Sequence, residues 1–196
     1  MVSTEKKIEL RHRAMAARAE LRGHARHEAT AKAANRAFDR LVETTGVVGL
    51  YEAFRDEIHP GEVAQRLHEN GRKLALPTTP KFGQPLVFRA WAPGDPLIRG
   101  RLNIPEPSPD APEVFPQVLL VPPVAFDRSG YRIGYGAGFY DRTIPKLREM
   151  HRVFALGYAF ACQEIPNLPA EHHDVPLDAI ATEHEIIAVR STLTGR

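Results

Sequence analysis

Val118–Ile144, VLLVPPVAFDRSGYRIGYGAGFYDRTI, holds the two signals that decide the fold of this chain. Its first part, VLLVP (118–122), is apolar at every position short of the proline, the pattern of a short strand buried on both faces. After a long turn, Gly134, Gly136 and Gly138 alternate directly before helix-forming residues, and a helix is predicted from about Gly138 to Met150. A buried strand feeding a glycine turn and then a helix is the start of an α/β unit. Downstream, VFALGYAF (153–160) reads as another central strand and IIAV (186–189) as a last one. Upstream, KLALPTT (73–79) and PLVFRAW (85–91) are predicted strands, and VVGLYEAF (47–54) is the first. Pro60 opens a short helix through His68, with Gly71 as its stop. Residues 4–43 are rich in Ala, Glu, Lys, Arg and Leu and read as helix, divided at Gly23 and stopped at Gly46. Residues 92–117 carry many Pro, Gly and Asp and no period, so an irregular surface excursion is expected there. Helices between apolar strands predict a three-layer α/β/α sandwich around a mixed, largely parallel sheet, with an N-terminal helical segment.

At 196 residues, the chain is most simply one domain spanning 1–196, with residues 1–45 as a helical segment packed on it. An apolar fraction of 43% and a charged fraction of 26% suit a soluble globular protein. No run of 18 apolar residues occurs, so no membrane partner is expected, and the charged N-terminus lacks the apolar core of a secretory signal. The single cysteine, Cys162, lies in an apolar run and reads as a buried, inert thiol; a cytoplasmic location is expected. Residues 1–40 hold ten Lys and Arg against five Asp and Glu, while the remainder nets −3. A basic arm suits nucleic acid, membrane phosphates or a polyphosphate ligand, and composition does not choose among them.

The glycine turn carries the chemistry. Alternating glycines let consecutive backbone N–H groups turn inward, and the helix behind them adds its positive end, so an anion is favoured. The dinucleotide pattern would need glycine at Phe139, and the Walker A ending is absent. Arg132, two residues before the first glycine, can offer a charged fork to a phosphate, and Asp141 can hold a phosphate-bound Mg²⁺. The competing readings are a tight turn that binds nothing and, for Asp141, a first-turn acid complementing the helix dipole.

GYRIGYGAGFYDR (130–142) resembles the ATP-binding loop of the 5-formyltetrahydrofolate cyclo-ligase family. KKIELR (6–11), LYEAFRDEI (50–58), LNIPEP (102–107) and HHDVPLDAIATE (172–183) resemble further segments of that family in the same order. The resemblance implies an α/β sandwich and an ATP-driven conversion of 5-formyltetrahydrofolate to 5,10-methenyltetrahydrofolate, with ATP as co-substrate and Mg²⁺ as cofactor. The small-molecule partners are then the formylated folate and ATP, with no nucleic acid; a monomer is favoured, without the sequence fixing the assembly. Position by position, it implies that Lys7, Arg11, Arg132 and the loop Gly134, Tyr135, Gly136, Ala137, Gly138, Phe139 and Tyr140 bind ATP. Arg132 and Tyr140 would act in catalysis. Arg11, Glu52, Glu57 and residues 135–139 would meet the folate, Glu57 by hydrogen-bonding the pterin. Asp141 and Asp174 would hold Mg²⁺.

Some family members carry Arg and Lys inside the loop where this chain has Tyr135 and Ala137, and Phe139 stands where Tyr is frequent. Charge stabilisation would then rest more on Arg132, Lys7, Arg11 and Mg²⁺. Arg18, Arg22 and Arg26 read as a solvated stripe, and His172–His173–Asp174 as a loop with one Mg²⁺ carboxylate and Asp178 as fallback. Trp91 and Phe88 read as core or pocket wall. Arg132→Ala and Asp141→Ala are expected to abolish turnover with little effect on folding, as surface changes. The rival functions are a basic helical nucleic-acid binder, a non-catalytic folate or nucleotide binder on the same fold, and a sugar-phosphate isomerase or CoA transferase using Glu57 as base.

Overall fold

The computed structural model describes residues 2–189. Two helices lead, α1 (Val2–Glu20) and α2 (Gly23–Val42), separated at Leu21 and Arg22 with Gly23 opening the second. Strand β1 (Val48–Gly49), helix α3 (Gly61–Glu69), and strands β2 (Leu74–Thr78) and β3 (Val87–Trp91) follow. The stretch expected to be irregular holds a small hairpin, β4 (Leu97–Arg99) and β5 (Pro105–Pro107), and a two-residue strand, β6 (Glu113–Val114). Then come β7 (Val118–Val121), the hairpin β8 (Ala125–Phe126) and β9 (Arg132–Ile133), and α4 (Phe139–Arg148). Strands β10 (Phe154–Tyr158), β11 (Ala179–Ala181) and β12 (Ile186–Ala188) are the last elements among the described residues.

The main sheet runs β12-β11-β10-β7-β1-β2-β3-β6. From β11 through β2 every pairing is parallel, and β12, β3 and β6 join antiparallel at the edges. The sheet is therefore mixed and largely parallel, as expected. Alternation along β7 shows how it is covered. Val118 and Leu120 pack into a cluster with Ala33, Ala37 and Leu41 of α2 and Val63 and Leu67 of α3. Leu119 and Val121 face the other way, onto Ile144 and Leu147 of α4. Burying each such leucine contributes about 2 kcal/mol, and burial on both faces explains why VLLV carries no polar residue. The i, i+4 series Ala29, Ala33, Ala37 keeps the sheet-facing side of α2 free of bulk, so the helix can lie close to the strands. In β1, a side chain at Gly49 would meet Leu119 Cδ2 and Phe88 Cε1 at 2.8 Å, so the centre of the sheet needs a glycine there.

Two further expectations change, and the reading of Phe88 and Trp91 as core or pocket wall holds. The strand predicted over 47–54 pairs at Val48–Gly49, with one further bond from Leu50 N to Ala75 O (2.8 Å). Beyond it the chain bends away from the sheet, reaching a left-handed Arg55 (φ 58°). Cys162 is exposed on a 3₁₀ turn (Ala161–Gln163) instead of buried, because the apolar run ends at Phe160 and the turn points its side chain outward. Phe88 is core, and Trp91 is only partly buried, packed against the α2–α3 side.

A candidate active-site cleft at the carboxyl ends of the parallel strands

Parallel strands leave a crevice where their carboxyl ends run into loops. Here the loops after β1, β2 and β7 line one cleft of about 740 Å³, a volume suited to a small-molecule ligand. The first turns of α1 and the segment around Glu171–Asp174 close its sides. Lys7, Arg11, Glu52, Glu57, Arg132, Asp141, Asp174 and the whole loop Gly134–Tyr140 line this one cavity.

The loop is positioned by the β8–β9 hairpin. Buried Asp127 fixes the hairpin turn by accepting from the amides of Ser129 (2.9 Å), Tyr131 (3.1 Å) and, across the chain, Leu168 (3.0 Å). Two of the glycines then adopt backbones that side chains resist, Gly136 at φ 101° and Gly138 at φ 63°, the latter just before α4. Gly134 is different: its φ is not positive, and a Cβ there would meet nothing within 4 Å. Two arginines hold loop carbonyls from outside, Arg11 Nε donating to Gly134 O (2.7 Å) and Arg142 Nη2 to Ala137 O. The positive end of α4 lies directly behind.

Arg132 is 6% exposed; its Nη2 donates to Asp141 Oδ1 (2.6 Å) and its Nη1 to Val175 O. Burial holds its guanidinium below the usual value, against the pull of Asp141, Tyr140 and Asp174. Lys7 Nζ reaches Asp174 Oδ2 (2.7 Å) and Glu171 Oε2 (3.0 Å). Burial opposes ionisation of Asp174, but bonds from Lys7 and the Glu171 amide outweigh it and hold the carboxyl below its ordinary range. Among the described residues, Glu171, His173 and Asp174 form a set whose ligand atoms lie within 4.8 Å of one another. The metal-binding potential read from the sequence thus gathers around Asp174 with two neighbours, while Asp141 stands at Arg132. Asp178 lies elsewhere, bonded to Arg148 Nη2 (2.9 Å) and the Ala155 amide (2.7 Å), and is removed as a fallback ligand.

At the other end, Glu57 is 7% exposed and accepts from the Phe54 amide (2.8 Å). Burial pushes its carboxyl up to about 7, opposed by the Phe54 amide and Arg18 and reinforced by Asp56. Burial also raises Glu52, with His59 opposing. Tyr140 is pushed well above its usual range by burial and by the charge of Glu57, so its hydroxyl stays a donor. Phe139 stacks on Phe82, a 70% exposed aromatic that the sequence reading did not single out (6.2 Å, 13°).

The arginine stripe needs correction. Arg22 is solvated, its side chain 75% exposed, but Arg18 is fully buried and Arg26 turns inward. Arg18 Nη2 bonds Asp56 Oδ1 and the Tyr135 hydroxyl, both at 2.8 Å. Arg26 Nη2 donates to the carbonyls of Asp56 (2.5 Å) and Glu57 (3.3 Å) and its guanidinium lies over Phe160 (4.9 Å). The spacing of four runs across the break between α1 and α2, so the three arginines do not share a face: Arg22 sits at the break in solvent, while Arg18 near the end of α1 and Arg26 at the start of α2 both meet the 54–57 turn. Glu171 was also missed; its spacing of three from Asp174, within one loop, was the available signal.

The cleft joins an anion-favouring loop, three cations, a carboxylate set and a buried acid within reach of one ligand. Comparison with known proteins bears on what that ligand is. The family model described as the 5-formyltetrahydrofolate cyclo-ligase family matches residues 3–183. A 5-formyltetrahydrofolate cyclo-ligase of Escherichia coli K12 is 35% identical over 144 residues, covering 71% of this chain and 79% of that protein. That of Haemophilus influenzae is 31% identical over 182 residues, covering 90% and 97%. Among solved structures, a 5,10-methenyltetrahydrofolate synthetase of Aquifex aeolicus superposes with a TM-score of 0.77 at 25% identity, covering 97% of this chain and 96% of that one.

Proposed function

This chain belongs to the 5-formyltetrahydrofolate cyclo-ligase family, and on that premise we propose that it converts 5-formyltetrahydrofolate to 5,10-methenyltetrahydrofolate at the expense of ATP. The observation that carries the reading is convergence: the glycine loop with Lys7, Arg11 and Arg132 lines the same cavity as the buried acid Glu57. One end suits a triphosphate and the other a hydrogen-bonding heterocycle, so a phosphate and a formyl group can meet between them.

The formyl oxygen is a poor leaving group, and phosphorylation makes it a good one. In the first step that oxygen attacks the γ-phosphorus and ADP departs. In the second, the N10 lone pair forms a bond to the activated carbon. Phosphate leaves with the C–O electrons and the N10 proton is lost. Neither step needs a protein nucleophile; both need alignment and charge neutralisation. The loop amides and the start of α4 receive the phosphates. Arg132, held by Asp141, supplies positive charge where the transferring group gains negative charge, and the Tyr140 hydroxyl donates to a substrate oxygen. Glu57 accepts from the ring system of the folate, and Glu52 and residues 135–139 shape its pocket.

The carboxylates of Asp174 and Glu171 already accept one cation, the Lys7 ammonium, and oxygen donors of this kind suit Mg²⁺. Asp174 and Asp141 would hold Mg²⁺, which would neutralise phosphate charge when bound. Lys7 and Arg11, four apart on one face of α1, would then offer their charges to the phosphates. The test is the absorbance of methenyl-folate formed from 5-formyltetrahydrofolate with and without ATP and Mg²⁺. Product that forms only when both are present supports the reading, and no product with both leaves a ligand-binding protein on this fold.

A further inference from the structure

Resting on the ligase reading above, we propose that Arg18 is a positioning residue that locks the glycine loop to the acidic turn 54–57 through the Tyr135 hydroxyl, and so couples the two ends of the cleft. A single nitrogen, Nη2, donates to Asp56 Oδ1 and to the Tyr135 oxygen, each at 2.8 Å. Asp56 belongs to the turn that carries Glu57; Tyr135 sits between Gly134 and Gly136 in the loop. The same two segments touch again where the Tyr135 ring meets Phe54 edge-on (5.4 Å, 82°). The Arg55 guanidinium lies over both rings, 4.9 Å from Phe54 and 5.9 Å from Tyr135. Arg26 clamps the turn through its carbonyls, and Arg18 alone of the pair continues to the loop.

This arrangement is a poor way to stabilise a fold. Arg18 is fully buried, yet its Nε and Nη1 find no partner among the described residues. Buried ion pairs with unmet donors contribute little or cost stability compared with an apolar filling. What the bridge does supply is a fixed loop. Glycines flank Tyr135, so the backbone there has wide freedom, and a tethered hydroxyl narrows that freedom without abolishing it. Since the tether ends on the Glu57 turn, a ligand that orders one segment orders the other, and each ligand then tightens the binding of its neighbour to the same degree.

The decisive variants are Tyr135→Phe, which keeps the ring against Phe54, Arg18→Met, and their combination. Calorimetry would use a non-hydrolysable ATP analogue and 5-formyltetrahydrofolate, each alone and together. In Tyr135→Phe the analogue is expected to bind about tenfold more weakly, the mutual tightening to vanish, and KM for ATP to rise more than kcat falls. The double variant should bind no more weakly than either single one, because both remove one bridge. Analogue binding by Tyr135→Phe at wild-type strength, or additive losses in the double variant, would overturn the proposal. Should Arg18→Met not fold, Tyr135→Phe decides alone. Amide hydrogen exchange of residues 134–138 without ligand separates this inference from the ligase reading: faster exchange in Tyr135→Phe supports the bridge even in a protein that makes no methenyl-folate, and unchanged exchange refutes it even in an active one.

Discussion

Glutamine in place of Glu57 should make the protein more stable in alkali while leaving it unchanged in acid. The carboxyl is 7% exposed and titrates at about 7 when folded, against 4.5 for an ordinary glutamate. The folded state therefore holds a proton that the unfolded chain releases between those two values. With the folded value raised, the contribution of Glu57 to stability is complete below pH 4.5 and is lost as pH rises through 7. The gap corresponds to about 3 kcal/mol. For a chain of this size that is about 8 °C in melting temperature. Glutamine keeps an oxygen for the Phe54 amide, which Glu57 Oε2 accepts at 2.8 Å, and fills the same space without a charge. Melting curves of both proteins from pH 4 to pH 9 isolate the charge, since every other titrating group is common to the pair. The wild type should fall behind the variant progressively across pH 4.5–7 and stay behind by a constant margin above it. A margin that is the same at every pH, or one that grows in favour of the wild type in alkali, would sink the reasoning. A folate ring that donates to this carboxylate should also release protons on binding near pH 7, measurable by calorimetry in buffers of different ionisation heat.

Arg132→Ala should abolish turnover and, contrary to the expectation for a surface residue, cost about 3 kcal/mol of stability, because it strands the Asp141 carboxylate and the Val175 carbonyl. Wild-type turnover in either Arg132→Ala or Asp141→Ala would refute their assigned roles. Gly134→Ala should melt with the wild type but bind nucleotide more weakly, whereas Gly136→Ala, at φ 101°, should also lose about 1 kcal/mol of stability. Equal stability losses in the two variants would count against a ligand role for Gly134. Lys7→Met leaves Asp174 and Glu171 without their ammonium, so Mg²⁺ should raise its melting temperature more than that of the wild type. A smaller rise would show that the carboxylates do not form a cation site.

The elements that the sequence reveals are those whose signal is local. VLLV is apolar because it is covered on both sides, and the glycine loop is glycine because Gly136 and Gly138 have positive φ. What it hides depends on partners far along the chain. Arg18 resembles any other basic residue on a helix until Asp56 and Tyr135, 38 and 117 positions away, are brought to it. Strand β11 has three residues, too few for alternation to register, and its place is set by pairing with β10 and β12. VVGLYEAF reads as a full strand because it is apolar apart from Glu52, but Tyr51 and Phe54 line the cleft and leave the ladder. Spacing alone supported the phosphate loop with Arg132 and Asp141, while Lys7, Arg11, Glu52, Glu57 and Asp174 came from a resemblance.

Lys7 meets Glu171 and Asp174 across 164 and 167 positions, so the first helix and the 171–174 segment share one corner of the cavity. A ribosome delivering this polypeptide would release the loop, the acids and the arginines long before the segment that completes the cavity wall. Until that stretch emerges, Lys7 lacks its two carboxylate partners, although α1 already has the β8–β9 hairpin and the 54–57 turn to pack on, and such distant pairings are slow to form. A nascent chain that has not yet reached Glu171 and Asp174 therefore carries a cleft with one wall missing.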